Sequence, residues 1–120
     1  MSFKEELKSF GFAAKGAWIS TSEKHVRFHL VSFATVCLVN WLLEVSISEW
    51  AATLACATLV VVSEVLNTVV EKLMDFIHPE QDPTVGKIKD MAAGAVFFAA
   101  GGSLIVAGIV YIPKLLELVG

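Results

Sequence analysis

The chain has 120 residues, enough for a single domain, and 56% of them are hydrophobic. With a mean hydropathy of +0.71 it is too apolar for an ordinary soluble domain of this size. The formal net charge of −3 and the scattered lysines exclude the basic surface that nucleic-acid binding needs.

Residues 1–20 read as a surface helix. Phe3, Leu7, Phe10, Ala14 and Trp18 recur at three- and four-residue steps, and Lys4, Lys8 and Lys15 lie off that face. Such a helix suits a membrane interface, with Trp at headgroup depth; a soluble helix packed on the domain is the alternative. The charged first residues lead to no short apolar run with a cleavage site, so no secretory leader is expected. With the approach to the first span, this interfacial segment is assigned residues 1–28.

Three apolar stretches follow, residues 29–47, 50–75 and 91–112, each long enough to cross a hydrocarbon core of about 30 Å. The expected fold is therefore an all-α integral membrane domain. Lys4, Lys8, Lys15, Lys24 and Arg27 precede the first span, and Lys72, Lys87 and Lys89 accompany the second connection. The outer hairpin from Glu44 to Glu49 has neither Lys nor Arg. The distribution of positive charge puts the N-terminus and the second loop in the cytoplasm. Cys37 and Cys56 lie in apolar spans and read as small buried hydrophobes, not as a disulfide.

The second span carries the chemistry. Glu64, Asn67, Glu71 and Asp75 are spaced three, four and four apart, which confines them to a sector about 80° wide on a helix. Ionisable groups in so apolar a segment are expensive and mark a functional site by default. Glu64 and Glu71 are two turns apart, about 10 Å along the axis, too far to share one metal. Glu71, nearer the cytoplasm, suits Mg²⁺ held alongside nucleotide phosphates. Glu64 lies deeper and suits a general base acting on a hydroxyl at the membrane interface.

In the connection at residues 76–90, Pro79 and Pro83 end the second helix, and Lys89-Asp90 opens the third span. Lys89 suits phosphate oxygens, although an interfacial Lys can also simply snorkel. Gly94, Gly101 and Gly108 recur every seven residues, and Ala95, Ala99, Ser103 and Ala107 every four, as in close-packed membrane helices. No phosphate-binding P-loop, Gly-rich kinase loop or zinc-type His/Cys cluster is present. From pattern alone, a Mg²⁺-using membrane enzyme and a small proton-coupled transporter with an intramembrane Glu both remain open. The carboxylate stripe reaches the cytoplasmic edge instead of stopping at the midplane, which favours the enzyme.

Glu64-Val-Leu-Asn67-Thr-Val-Val-Glu71, followed by Pro79-Glu80 and Lys89-Asp90-Met-Ala-Ala-Gly94-Ala-Val, resembles the prokaryotic diacylglycerol kinase family, which includes the undecaprenol kinases. The resemblance covers nearly the whole chain. Pro79-Glu80, the Ala-Ala-Gly-Ala-Val run and His29 after Glu23 and Arg27 are nearest to the undecaprenol kinase branch. It implies a homotrimer in the bacterial inner membrane, with composite sites near the cytoplasmic face that transfer the γ-phosphate of ATP to a lipid hydroxyl. Carried over, Glu64 matches the catalytic base, Asn67 supports the reaction centre, and Glu23 and Glu71 match the metal-binding carboxylates. Lys89 and Asp90 match nucleotide contacts; Glu80, Gln81 and Asp82 align with the nucleoside loop, and Phe12 with an aromatic near the adenine. This chain departs from the pattern in two places. His25 stands where the undecaprenol branch often has Asn, and His29 where the diacylglycerol branch tends to have Glu.

Overall fold

A computed structural model describes residues 2–120; Met1, the first residue of the expected interfacial segment, lies outside the described residues. Four helices follow in order: α1 (Phe3–Ser20), α2 (Lys24–Leu42), α3 (Ile47–Ile77) and α4 (Pro83–Val119), with no strand among the described residues.

Helix α1 begins in a capping box, in which Ser2 Oγ accepts from the Glu5 N–H and the Glu5 carboxylate accepts from the Ser2 N–H. It ends where Ser20, Thr21 and Ser22 turn their hydroxyls back onto the carbonyls of Gly16, Trp18 and Ile19. No residue of α1 is buried, and Phe3, Leu7, Phe10 and Trp18 are all exposed. The apolar face expected from the sequence is therefore uncovered within the chain.

Helix boundaries differ from the expected spans, for local reasons. Glu23 adopts an extended backbone as N-cap of α2, and its carbonyl accepts from the Arg27 N–H, so α2 starts at Lys24, ahead of His29. The outer reversal occupies the four residues from Leu43 to Ser46, with Glu44 in the left-handed region at φ 50°. Ser46 and Glu49 form a second capping box, so Glu49 closes the start of α3 as well as solvating the turn. The inner connection contracts to His78–Asp82. Asp82 Oδ1 accepts from the N–H groups of Thr84 and Val85, and Pro83 takes the first helical position, where its missing N–H costs nothing. Gly86, Lys89 and Asp90, expected in the loop, are thus in the first turns of α4. At the far end α4 continues through Pro113 to Val119, beyond the expected limit at Ile112.

The interior is unusually polar. Buried apolar residues are few (Val26, Val45, Ala99, Val110), whereas Asn40, Thr53, Ser63, Glu64 and Asn67 are all buried. Exposed large residues include Leu59, Leu66, Phe97, Phe98, Leu104 and Ile109. A water-soluble chain places these two classes the other way round; an apolar solvent permits this one. Helices α3 and α4 are long and apolar enough to cross a membrane. Helix α2, expected as a span, is shorter at 19 residues and carries Lys24, His25, Arg27, His29 and Asn40.

Asn40 ties the three long helices together. It is completely buried; its Nδ2 donates to Thr53 Oγ1 on α3 at 2.8 Å, and its Oδ1 accepts from the Tyr111 hydroxyl on α4 at 2.6 Å. Lower on the α3–α4 seam, Ser103 Oγ donates to the carbonyls of Ala99 and Cys56. The Ala99–Ser103 stripe thus faces α3. Among the described residues, nothing from another element lies within 4 Å of where a Cβ at Gly94 or Gly101 would stand.

Candidate active site

Helix α3 positions three of the predicted residues on one face. Glu64 and Asn67 are buried, and Glu71 is exposed one turn further on. Asn67 Nδ2 donates to Glu71 Oε1 at 3.4 Å, linking the two across one helical turn. Asn67 Oδ1 has no hydrogen-bond partner although it is buried. A buried carbonyl oxygen without a donor is costly, and such atoms concentrate where a ligand supplies the missing partner.

Glu64 meets α2. His29 Nε2 stands 3.4 Å from Glu64 Oε2, and both side chains are largely buried. The adjacent Phe28 ring meets the imidazole in an edge-to-face arrangement, with centroids 5.2 Å apart and planes at 82°. His29 also lines an apolar groove of about 300 Å³ between α2, α3 and α4, with Phe28, Phe33, Ala57, Val60 and Leu104.

Glu23, as an N-cap whose carboxylate makes no capping bond, is free to reach across to α3, where Oε1 lies 3.0 Å from Lys72 Nζ. It therefore stands beside the residue that follows Glu71. Among the described residues no three His, Cys, Asp or Glu side chains converge on one point. One or two carboxylates completed by phosphate oxygens is the usual protein share of a Mg²⁺ site, so this donor set of carboxylate and amide oxygens fits that ion.

A second assembly forms at the α3–α4 turn. Glu80, Gln81, Asp82, Gly86 and Lys89 line a pocket of about 500 Å³ with Pro79, Pro83 and Val85. Lys89 Nζ contacts Asp75 Oδ1 at 2.6 Å, so the last carboxylate of the α3 stripe anchors the Lys at the mouth of this pocket. His78 approaches the same loop, its Nδ1 standing 3.8 Å from Glu80 and its Nε2 4.0 Å from Asp82.

The structure thus gathers Glu64, Asn67 and Glu71 on one stripe, with Glu23 on its flank, and Glu80, Gln81, Asp82 and Lys89 around the turn. It does not bring in Asp90, which is exposed and absent from the pocket lining, or Phe12, exposed on α1. The contacts His29–Glu64, Glu23–Lys72 and Asp75–Lys89 were not foreseen; each joins residues of different helices, which spacing along one helix cannot reveal.

Comparison with known proteins completes the picture. The chain is 34% identical over 110 residues to the undecaprenol kinase of Bacillus subtilis, spanning 91% of this chain and 89% of that protein. It is 32% identical over 114 residues to a diacylglycerol kinase of Synechocystis, spanning 93% of this chain but 65% of that protein. A diacylglycerol kinase of Helicobacter pylori is 31% identical over 95 residues, 78% of this chain and 73% of its own length. The family model for prokaryotic diacylglycerol kinase matches residues 11–111, and the chain belongs to that family.

Proposed function

We propose that this protein is a membrane lipid kinase that transfers the γ-phosphate of ATP to the hydroxyl of a lipid alcohol, with Glu64 as general base. The observation that carries the reading is a buried carboxylate, Glu64, in contact with an imidazole that lines an apolar groove, on the same helix stripe as Asp75, whose partner Lys89 lines the pocket at the α3–α4 turn. A base for a lipid hydroxyl belongs at the apolar end of such a stripe, and groups for a nucleotide at its polar end.

In the reaction the lipid oxygen forms a bond to the γ-phosphorus as the bond to the β–γ bridging oxygen breaks. The hydroxyl proton passes to Glu64, and ADP leaves. Asn67 Oδ1, the unpartnered acceptor, orients a donor at the reaction centre. Lys89 neutralises phosphate oxygens, and Glu80, Gln81 and Asp82 surround the nucleoside; Asp90 and Phe12, which the fold leaves outside the pocket, enter as nucleotide contacts on the family resemblance alone. Glu23 and Glu71 would hold Mg²⁺, which when bound offsets negative charge on the phosphates. Lys72, now paired with Glu23, would release it.

We place the protein in the bacterial inner membrane as a homotrimer, α2 forming the third span, with the N-terminus and the site on the cytoplasmic side. The uncovered apolar surfaces of α3 and α4 and the open Gly94–Gly101 face support an assembly of this kind. Undecaprenol is the favoured substrate because the chain spans most of the Bacillus subtilis enzyme and only about two thirds of the Synechocystis diacylglycerol kinase.

The test is phosphoryl transfer from labelled ATP, with Mg²⁺, to undecaprenol and to diacylglycerol in matched mixed micelles, with Glu64→Gln as the blank. Labelling of undecaprenol above diacylglycerol is expected. The reverse order would overturn the substrate assignment, and labelling of neither would return the transporter reading. Near-normal turnover by folded Glu64→Gln protein would sink the assignment of the base.

A further inference from the structure

We propose that His29 is a positioning residue for the base: its imidazole holds one oxygen of Glu64 and thereby turns the other toward a lipid hydroxyl arriving along the apolar groove. The inference rests on the reading of Glu64 as the base, and it assigns a role to a residue that the family motif on α3 does not contain.

Three observations meet at this side chain. His29 Nε2 lies 3.4 Å from Glu64 Oε2, and closing a few tenths of an ångström gives ordinary hydrogen-bond length. Contacts of this sort are often long before substrate binds. Both groups are shielded, with 17% and 9% of their side-chain surfaces exposed, so little water competes for the carboxylate. The same imidazole also lines the groove, making it the residue common to the apolar surface and the base.

The geometry explains why a donor is needed there. A carboxylate on a long Glu side chain rotates about its last torsion, which is broad and roughly two-fold. Along α3 its neighbours in the stripe are engaged elsewhere: Asn67 Nδ2 donates to Glu71, and Thr68 Oγ1 to the Glu64 backbone carbonyl. No side-chain hydrogen bond from α3 fixes the Glu64 carboxylate, so the partner on α2 sets its orientation. With an N–H donor at Oε2, the remaining oxygen is the one left for the lipid proton. The outer end of the same groove is bounded by Thr53 and Tyr111, members of the buried Asn40 network. Asn40 lies eleven residues from His29, about 16 Å along α2.

The experiment measures kcat and KM for undecaprenol and for ATP with full-length protein in mixed micelles. The variants are His29→Phe, His29→Gln, Glu64→Asp, Glu64→Gln and the His29→Phe/Glu64→Asp double. His29→Phe keeps a planar ring beside Phe28 and removes the donor; kcat is expected to fall about 10- to 100-fold, as for other groups that orient a reacting side chain. KM for ATP should hold steady. His29→Gln, whose amide restores an N–H near the position of Nε2, should recover most of the kcat. In the Glu64→Asp background the shorter carboxylate has already withdrawn from the imidazole, so adding His29→Phe should change kcat by no more than about twofold. Wild-type kcat in His29→Phe, with Glu64→Gln inactive, overturns the role of His29 and leaves the base standing. Equal losses in the Phe and Gln variants, multiplying fully with Glu64→Asp, would make His29 a packing residue only. Normal turnover in Glu64→Gln removes the base itself, a separate failure.

Discussion

Replacing Asn40 by Leu should weaken the fold and leave the chemistry intact. Asn40 is fully buried and makes two interhelical side-chain bonds, one to Thr53 at 2.8 Å and one from Tyr111 at 2.6 Å. Interhelical hydrogen bonds in membranes average about 0.6 kcal/mol and reach about 1.7, so the pair together contributes about 1–3 kcal/mol. Thr53 Oγ1 still donates to the Glu49 carbonyl after the change, so its hydroxyl is not stranded. The Tyr111 hydroxyl loses its acceptor on Asn40 but keeps Thr53 within reach, so the cost should stay inside that range. Tyr111→Phe removes one bond only and should cost about half as much. The double variant Asn40→Leu/Tyr111→Phe should then be no worse than Asn40→Leu alone, because the shared bond is already gone. Reversible unfolding in mixed micelles, followed by helical circular dichroism, reads these differences. Kinase turnover at a temperature where all variants are folded should match the parent, since Asn40 lies about 16 Å along α2 from His29. Strict additivity of the two single changes would refute the shared bond. A large loss of kcat without loss of stability would show that the network belongs to the catalytic machinery.

Other substitutions separate the remaining roles. Asn67→Leu removes a buried oxygen that has no partner, so stability should hold or rise while kcat drops about 10- to 100-fold, measured by unfolding and by turnover on the same preparation. Glu71→Gln should move the Mg²⁺ titration of activity to higher concentration, while the KM for the lipid stays close to that of the parent; an unchanged titration would remove Glu71 from the metal site. Lys89→Met breaks a partly exposed pair with Asp75, which is worth about 0–1 kcal/mol, so unfolding should scarcely change. The KM for ATP should rise at least about tenfold if the ammonium meets phosphate, since charged hydrogen bonds are worth about 1.5–3 kcal/mol.

What the sequence made legible follows from helical periodicity. Glu64, Asn67 and Glu71 fall on one face because 3.6 residues per turn decides it, whatever the helix packs against. The amphipathic pattern over α1 was readable for the same reason, and so was the excess of apolar length in α3 and α4. Helix ends were read less well. Pro83 looked like part of a loop, whereas with Asp82 as cap it is the first residue of α4. That places Gly86 and Lys89 on one helical face above the turn instead of on a free strand of chain. The third span was expected to end at Ile112, yet α4 runs on through Pro113.

Contacts between helices were the part hidden from spacing, and they decide how the site works. Lys89 looked like either a phosphate ligand or a snorkelling Lys; its contact with Asp75 gives it a defined resting place at the mouth of the loop pocket. Glu23 was expected as a metal ligand from the resemblance; as N-cap of α2 it makes no capping bond, and its carboxylate instead meets Lys72. Both residues rest on an opposite charge carried by α3, beside the exposed end of the same carboxylate stripe. Under the proposed function, a polyanionic phosphate chain arriving there would compete for the Lys89 ammonium, and a cation for the Glu23 carboxylate. The two ion pairs are exposed enough to exchange at small cost, which is what a site that must admit charged ligands requires. Glu64, by contrast, is buried with a single imidazole beside it, so under the proposed mechanism the base would stay in place while the charged groups around the nucleotide rearrange.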